Sequence, residues 1–99
     1  MWALLVVVAY DVSTETKEGR RRLRRVARAC EDFGQRVQKS VFECVVRERD
    51  WVLLRARLLS EFDAREDSLR FYFLDESSRE RTEHHGVKRP IDVEAPLIV

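Results

Sequence analysis

The stretch Met1–Ser13, MWALLVVVAYDVS, determines how the rest of the chain can fold. From Trp2 to Tyr10 nine consecutive residues are apolar or aromatic, so neither face of this segment suits contact with water. The pattern predicts a central strand that is covered on both sides. Because side chains alternate along a strand, Tyr10 points to one face, and Asp11, the first charged residue, points to the other.

Asp11 places a carboxylate at the carboxyl end of this predicted strand. In sheets that are covered by helices, ligands and metal ions commonly bind at that end. The alternative is that Asp11 only opens a turn, or caps the next helix together with Ser13. Position alone favours neither interpretation.

The composition predicts one globular domain over residues 1–99. A chain of this length folds without disulfides and has no room for a second core. With 44% hydrophobic residues, 3 Gly and 2 Pro, it does not belong to a disordered or fibrous class. Charged residues make up 37% but the net charge is only +1, so nucleic-acid binding would depend on where the arginines cluster.

A cytoplasmic location is expected. The first apolar run is too short to span a bilayer and lacks the basic start of a signal peptide. No membrane association is therefore predicted. Cys30 and Cys44 have no metal-ligand spacing, which predicts reduced, buried thiols.

An arginine-rich helix is predicted between the polar residues after Asp11 and the helix-stopping Gly34. Its apolar positions form one stripe: Leu23, Val26, Ala27, Cys30 and Phe33. The other side carries arginines without an acid among them, which favours an anionic partner such as nucleic-acid phosphate. The candidate phosphate-binding residues are Arg20, Arg21, Arg22, Arg24, Arg25 and Arg28. The alternative is that acids neutralise them after folding, for example Glu31, Asp32 and Glu43.

Two more strands and a second helix are predicted. Arg36–Val46 fits a strand that is largely covered on both faces. Asp50 is placed to cap a helix, and Ser68–Leu74 alternates like a strand. The apolar residues of that helix are Trp51, Leu54, Leu58 and Phe62.

The last third of the chain is more polar. Asp75–Glu83 is predicted to be a mobile surface loop, and Val87–Arg89 a short edge strand. The adjacent His84 and His85 would point to opposite faces of a strand, so a surface or structural role is preferred for them over a metal site. The apolar tail 91–99 is expected to dock on a neighbouring sheet.

Two helices alternating with about four strands fit an α+β fold, a βαββαβ plait with both helices on one face of an antiparallel sheet. The chain has no residues left to cover the other apolar face, which predicts a homodimer with the two sheets packed face to face. Two Asp11 carboxylates near the two-fold axis would repel unless a proton or a cation lies between them. Mg²⁺ prefers such oxygen ligands and is the predicted cofactor.

Several motifs agree with one known family. They are Tyr10-Asp11-Val12-Ser13 after the buried strand, the arginine-rich helix, GQRVQKSVFEC at Gly34–Cys44, and Asp67-Ser68-Leu69-Arg70. Together they resemble the small CRISPR-associated family Cas2 over essentially the whole chain. The resemblance implies a ferredoxin-like homodimer with an extra C-terminal strand that crosses to the partner, in agreement with the apolar tail. It also implies a role in acquiring CRISPR spacers for prokaryotic antiviral defence.

The resemblance further implies partners and a site. Members bridge two copies of the larger Cas integrase and bind the duplex DNA that becomes the spacer, and several are described as magnesium-dependent endonucleases on RNA or DNA. Carried over by motif, Asp11 is the catalytic and metal-binding acid at the dimer interface, with Tyr10 and Ser13 beside it. Arg20, Arg21 or Arg22 matches the basic positions of the first helix, while Arg36 and Phe42 fall on the second-strand motif.

Three functions remain open at this point. In the first, a metal ion between paired Asp11 residues hydrolyses a phosphodiester, although one carboxylate per subunit is a small ligand set and no histidine lies near it in sequence as a base. In the second, which is preferred, the dimer is an architectural protein that presents its arginines to duplex phosphates. The third is a toxin-type endoribonuclease on the same fold.

Overall fold

The computed structural model of the protein describes residues 3–87. Within this range the elements are β1 (Leu4–Asp11), α1 (Lys17–Glu31), β2 (Gln35–Gln38), β3 (Val41–Val46), α2 (Glu48–Glu61), β4 (Ser68–Asp75) and a 3₁₀ helix (Glu76–Arg81). The strands form one antiparallel sheet in the order β2-β3-β1-β4. The predicted α+β fold, a ferredoxin-like βαββαβ plait, is confirmed.

The core lies between the sheet and the two helices. β1 is an inner strand, and its register places Val6 beside Cys44 and Val8 beside Phe42. These four side chains are completely buried. The helix residues in the same buried cluster are Val26, Ala29, Cys30, Leu54 and Leu58. Both helices therefore pack on the face that carries Val6 and Val8, and Cys30 and Cys44 are buried free thiols, as predicted.

The opposite face of the sheet is more exposed, and we call it the open face. It consists of Leu5, Val7, Ala9, Val41, Glu43, Val45, Arg70, Tyr72 and Leu74. Leu5 is buried, whereas Val7 and Ala9 are half-buried. Tyr72 and Leu74 are 46% and 42% exposed. A single chain thus leaves apolar surface on the sheet uncovered.

The prediction of one strand over Arg36–Val46 is wrong. The structure has a hairpin, in which β2 and β3 pair antiparallel around a turn at Lys39 and Ser40, with an irregular register between Arg36 and Gln38. The physical reason is that a polar run can reverse the chain without Gly or Pro, so the turn gives little local signal. The hairpin supplies the fourth strand of the sheet.

Two boundaries also differ from prediction. α2 begins at Glu48 after Arg47, so Asp50 lies in the first helical turn and is not the cap; its charge still suits the positive end of the helix dipole. The predicted loop Asp75–Glu83 is largely the 3₁₀ helix, whose end is fixed because Thr82 donates its hydroxyl to the carbonyl of Ser78 at 2.9 Å.

The end of the described range contains no edge strand up to Val87. His84 and His85 are exposed there, with His84 Nε2 3.0 Å from the carbonyl oxygen of Val87 and His85 3.2 Å from Glu83. The rest of the predicted strand at Val87–Arg89 and the tail 91–99 lie outside the described residues. No helix within residues 3–87 is long and apolar enough to cross a membrane.

Candidate functional site

Asp11 is the last residue of β1, and its side chain is exposed in a shallow cleft. Two turns line this cleft: the turn that follows β1, including Ser13 and Glu15, and the turn that precedes β4, including Arg65 and Glu66. In the sheet register Asp11 lies opposite Ser68. The structure therefore brings together two segments that are more than fifty residues apart in sequence.

Asp67 is a functional candidate that sequence reasoning missed. Its side chain has no exposed surface. Oδ1 accepts hydrogen bonds from the Ser13 amide at 3.0 Å and from Arg22 Nη2 at 3.2 Å, while Oδ2 accepts from Arg22 Nε at 2.8 Å and from the Asp63 amide at 2.9 Å. The hydrogen bonds from Arg22 hold the pKa of Asp67 below its ordinary value, so the carboxylate is charged at neutral pH.

The turn after β1 is also held from the side of α1. Thr16 caps this helix, because its hydroxyl accepts a hydrogen bond from the Gly19 amide at 3.0 Å. A Cβ atom at position 19 would overlap the carbonyl oxygen of Ser13, so only glycine allows the helix to approach this closely. Arg20 donates to the carbonyl of Thr14 at 3.1 Å. Ser13 is therefore fixed between Asp67 and α1.

The arginines of α1 differ in their surroundings. Arg20, Arg21, Arg24, Arg25 and Arg28 are exposed, whereas Arg22 is half-buried against Asp67. The alternative prediction, that acids neutralise these arginines after folding, is correct for two of them. Arg28 lies 3.8 Å from Asp32, and Arg25 lies 3.7 Å from Glu61. Arg21 and Arg24 have no ion pair with any residue in the range 3–87. They are the most available of the arginines of the helix.

Tyr10, Arg36 and Phe42 form a separate buried cluster on the helix-covered face. The Arg36 guanidinium lies 4.8 Å from the centre of the Phe42 ring, on which Tyr10 stacks at 6.2 Å. Arg36 Nη1 donates to the carbonyl of Lys39 at 2.6 Å, and its side chain is only 9% exposed. Burial raises the pKa of Tyr10, and the nearby Arg36 charge opposes that rise. None of the three side chains lines the Asp11 cleft.

Two polar atoms of this cluster are shut off from solvent without a hydrogen-bond partner among the described residues, Tyr10 Oη and Arg36 Nε. Arg36 also lies 3.6 Å from Glu31, so that acid pairs with Arg36 and not with the outer face of α1. The Arg36 guanidinium therefore mainly contacts groups of its own chain. Its contacts with the Phe42 ring and with the Lys39 carbonyl connect β3 to the hairpin turn.

One chain does not build a metal site from the residues that the structure describes. No group of three or more His, Cys, Asp or Glu side chains in residues 3–87 is arranged to hold an ion. Asp11 offers one exposed carboxylate, and the oxygens of Asp67 are already occupied by four hydrogen bonds. A Mg²⁺ site would need carboxylates from a second copy.

A family model described as CRISPR associated protein Cas2 matches residues 4–82. The chain belongs to the Cas2 family. It is 57% identical to the CRISPR-associated endoribonuclease Cas2 of Chlorobaculum tepidum, over 97% of this chain and 100% of that protein. It is 56% identical to the protein of the same name from Nitratidesulfovibrio vulgaris, over 98% of this chain and 95% of the relative.

The structural comparison agrees with the Cas2 assignment. The crystal structure of Streptococcus pyogenes Cas2 at pH 6.5 superimposes with a TM-score of 0.74 at 50% sequence identity, covering 83% of this chain and 99% of that one. The family resemblance predicted from the Tyr10–Ser13 motif, the arginine-rich helix and the motifs at Gly34–Cys44 and Asp67–Arg70 is thus confirmed. As a Cas2 family member, the chain belongs to the proteins of CRISPR defence.

Proposed function

We propose that this protein acts in CRISPR spacer acquisition as a dimer that binds duplex DNA and bridges copies of the larger Cas integrase in the prokaryotic cytoplasm. The observation that carries the proposal is the arginine face of α1. Arg21 and Arg24 project into solvent, and no acid among residues 3–87 pairs with either. Unpaired guanidinium groups on one helix face suit a phosphate backbone, which they contact without reading base sequence.

The open face supports the dimer. Val7 at its centre is half-buried, and Tyr72 beside it is 46% exposed. Packing two open faces together removes this apolar surface from water, and a stable interface of this kind buries about 1,600 Å² in total. The two-fold symmetry then presents two α1 arginine faces at a fixed separation, which is what a protein that binds a duplex of defined length requires.

The test of this function is the salt dependence of duplex binding. Each lost phosphate contact lowers the slope of log affinity against log salt by about 1. The double variant Arg21→Gln/Arg24→Gln should therefore flatten the slope, whereas Arg55→Gln, an equally exposed arginine of α2, is the control and should leave it unchanged. Equal effects of both variants, or no binding by the wild type, would reject the α1 surface. Co-purification with the integrase of the same CRISPR locus tests whether this protein binds that partner.

Metal-dependent endonuclease activity at Asp11 is the second candidate function. Its support is the exposed Asp11 carboxylate in the cleft between two turns, together with relatives that are named endoribonucleases. Asp11 lies at the edge of the open face, so a dimer could bring two copies near each other. A bound Mg²⁺ would polarise a phosphodiester and lower the pKa of a bound water. Asp11 would hold the ion, and the α1 arginines would hold the substrate.

Cleavage of labelled RNA and duplex DNA tests this second function. Wild type, Asp11→Asn and the control Asp75→Asn, an exposed aspartate at the far end of β4, are compared with Mg²⁺ and with chelator. We expect cleavage by the wild type and the control and none by Asp11→Asn. Cutting that survives in Asp11→Asn would place the activity elsewhere. Cutting of RNA without any duplex binding would favour the toxin-type endoribonuclease.

A further inference from the structure

Asp67 connects the two turns that flank Asp11. Its Oδ1 accepts from the amide of Ser13, two residues after Asp11, and its Oδ2 accepts from the amide of Asp63 at the start of the other turn. The Asp67 amide in turn donates to the Asp63 carbonyl at 2.8 Å. A fully buried carboxylate with backbone donors on two turns fixes their relative position more rigidly than a surface ion pair does.

The same residue also reaches Asp11 through the sheet. Ser68 follows Asp67 directly and is the register partner of Asp11. The backbone on both sides of Asp11 is therefore set by Asp67, from Ser13 along the chain and from Ser68 across it. A displacement of Asp67 would therefore move the backbone that carries Asp11.

Arg22 binds the Asp67 carboxylate, so its charge is already paired. Two of its nitrogens bind the two oxygens of Asp67, and Nη2 lies 3.7 Å from Glu66 as well. Its side chain is 17% exposed. Arg21, the residue just before it, is exposed. A phosphate contact through Nε or Nη2 of Arg22 would require these atoms to leave the Asp67 carboxylate, which would then keep only the amides of Ser13 and Asp63 as donors.

We propose that Arg22 and Asp67 are a positioning pair, which fixes the turn beyond Asp11 and so aims the Asp11 carboxylate, and that Arg22 does not contact nucleic acid. The inference rests on the second candidate function, cleavage at Asp11. It changes the role predicted for Arg22 from its place among the arginines of the helix.

The first experiment separates positioning from phosphate binding. Duplex affinity is measured against salt for Arg22→Gln and for its neighbour Arg21→Gln. We expect a slope lower by about 1 for Arg21→Gln and a wild-type slope for Arg22→Gln. Because Arg22→Gln leaves Asp67 buried without its partner, the double variant Arg22→Gln/Asp67→Asn, which removes both charges, is measured in parallel and should also keep the slope. A slope lowered in both Arg22 variants to the same extent as in Arg21→Gln overturns the proposal.

The second experiment separates positioning from a purely structural role. Cleavage kinetics are measured for Arg22→Lys and Asp67→Asn at a temperature where unfolding curves show both to be fully folded. Lys keeps the charge but loses the two-pronged contact. We expect kcat to fall about 100-fold with KM unchanged, since small misplacement of a reacting group is costly. The control Arg57→Lys, in an exposed ion pair between α2 and Asp32 just beyond the end of α1, should keep the wild-type kcat.

The outcomes distinguish this proposal from the function on which it rests. If the wild type cuts and the folded variants cut with the same kcat, the positioning role is wrong and cleavage at Asp11 stands. If the wild type cuts nothing with any divalent metal, the activity and the positioning role fall together. If the folded variants have a lower kcat but keep the wild-type KM, and the Arg22 variants keep the wild-type salt slope, the positioning role of the pair is supported.

Discussion

The Asp67 carboxylate accepts two hydrogen bonds from the Arg22 guanidinium, at 2.8 and 3.2 Å, across 45 positions of sequence. The other ion pairs of α1 are different in kind. Arg25 and Glu61 are 3.7 Å apart with the arginine 60% exposed, and such surface pairs contribute little to stability. The Asp67 side chain has no exposed surface, so loss of Arg22 leaves its charge with only the amide donors of Ser13 and Asp63. The stability of the fold and the geometry at Asp11 therefore depend on the same contact.

The first prediction concerns the pH dependence of stability. Because the pKa of Asp67 is lowered from its ordinary value of 3.8, its contribution is fully present above that value and is lost as the pH falls through the lower native pKa. Asp67→Asn should lower the free energy of unfolding at pH 7 by about 2 kcal/mol, the order of magnitude for lost hydrogen bonds to a charged group. The difference from the wild type should shrink below about pH 4. Urea unfolding at pH 7, 5 and 3 measures both effects.

Asp32→Asn is the matched control for this prediction. Asp32 is paired but 45% exposed, so its loss should cost much less at every pH. A difference between the wild type and Asp67→Asn that is as large at pH 3 as at pH 7 would show that the charge of Asp67 does not contribute to stability.

The strong local patterns were sufficient to predict most of the fold. The apolar run of β1 and the stripe of α1 carry clear periodicities, and both elements are present. The hairpin turn at Lys39 and Ser40 was missed because it lacks Gly and Pro. The second strand was therefore predicted as one segment instead of two.

The candidate site was less predictable than the fold. Asp11 was found because a charge after a long apolar strand is a local signal. The partnership of Arg22 with Asp67 is a long-range contact that no spacing reveals, so Arg22 was grouped with its exposed neighbours. Asp67 had one usable signal, its place in the Asp67-Ser68-Leu69-Arg70 motif just before a strand that pairs with β1.

The second prediction concerns Gly19. In an exposed helix, replacing Gly by Ala stabilises by about 1 kcal/mol. At Gly19 the added methyl group would overlap the Ser13 carbonyl, so Gly19→Ala should instead lower the melting temperature. Lys17→Ala, in the same helical turn but exposed, is the control and should stay close to the wild type. A Gly19→Ala protein more stable than the wild type would mean that α1 does not press on the turn beyond Asp11.

The third prediction concerns the two thiols. Burial raises the pKa of Cys30 to about 12 and that of Cys44 to about 11. Since the thiolate is the reactive form, neither should react with a disulfide reagent in the native protein at pH 8, and both should react in guanidinium chloride. The absorbance after mixing with Ellman's reagent gives the number of thiols that have reacted. Rapid reaction of one thiol under native conditions would indicate local opening between α1 and β3.

The fourth prediction tests whether the open face forms the proposed dimer. Leu74 is on the open face, opposite Leu5 in the sheet register, and is 42% exposed in the single chain. Leu74→Glu should leave the monomer folded, but two-fold symmetry would place two carboxylates in an apolar interface, so the dimer should dissociate. Val52 of α2 is 58% exposed on the helix side, and Val52→Glu should remain dimeric. Sedimentation velocity compares the two. A Leu74→Glu protein that sediments like Val52→Glu would exclude the open face as the interface.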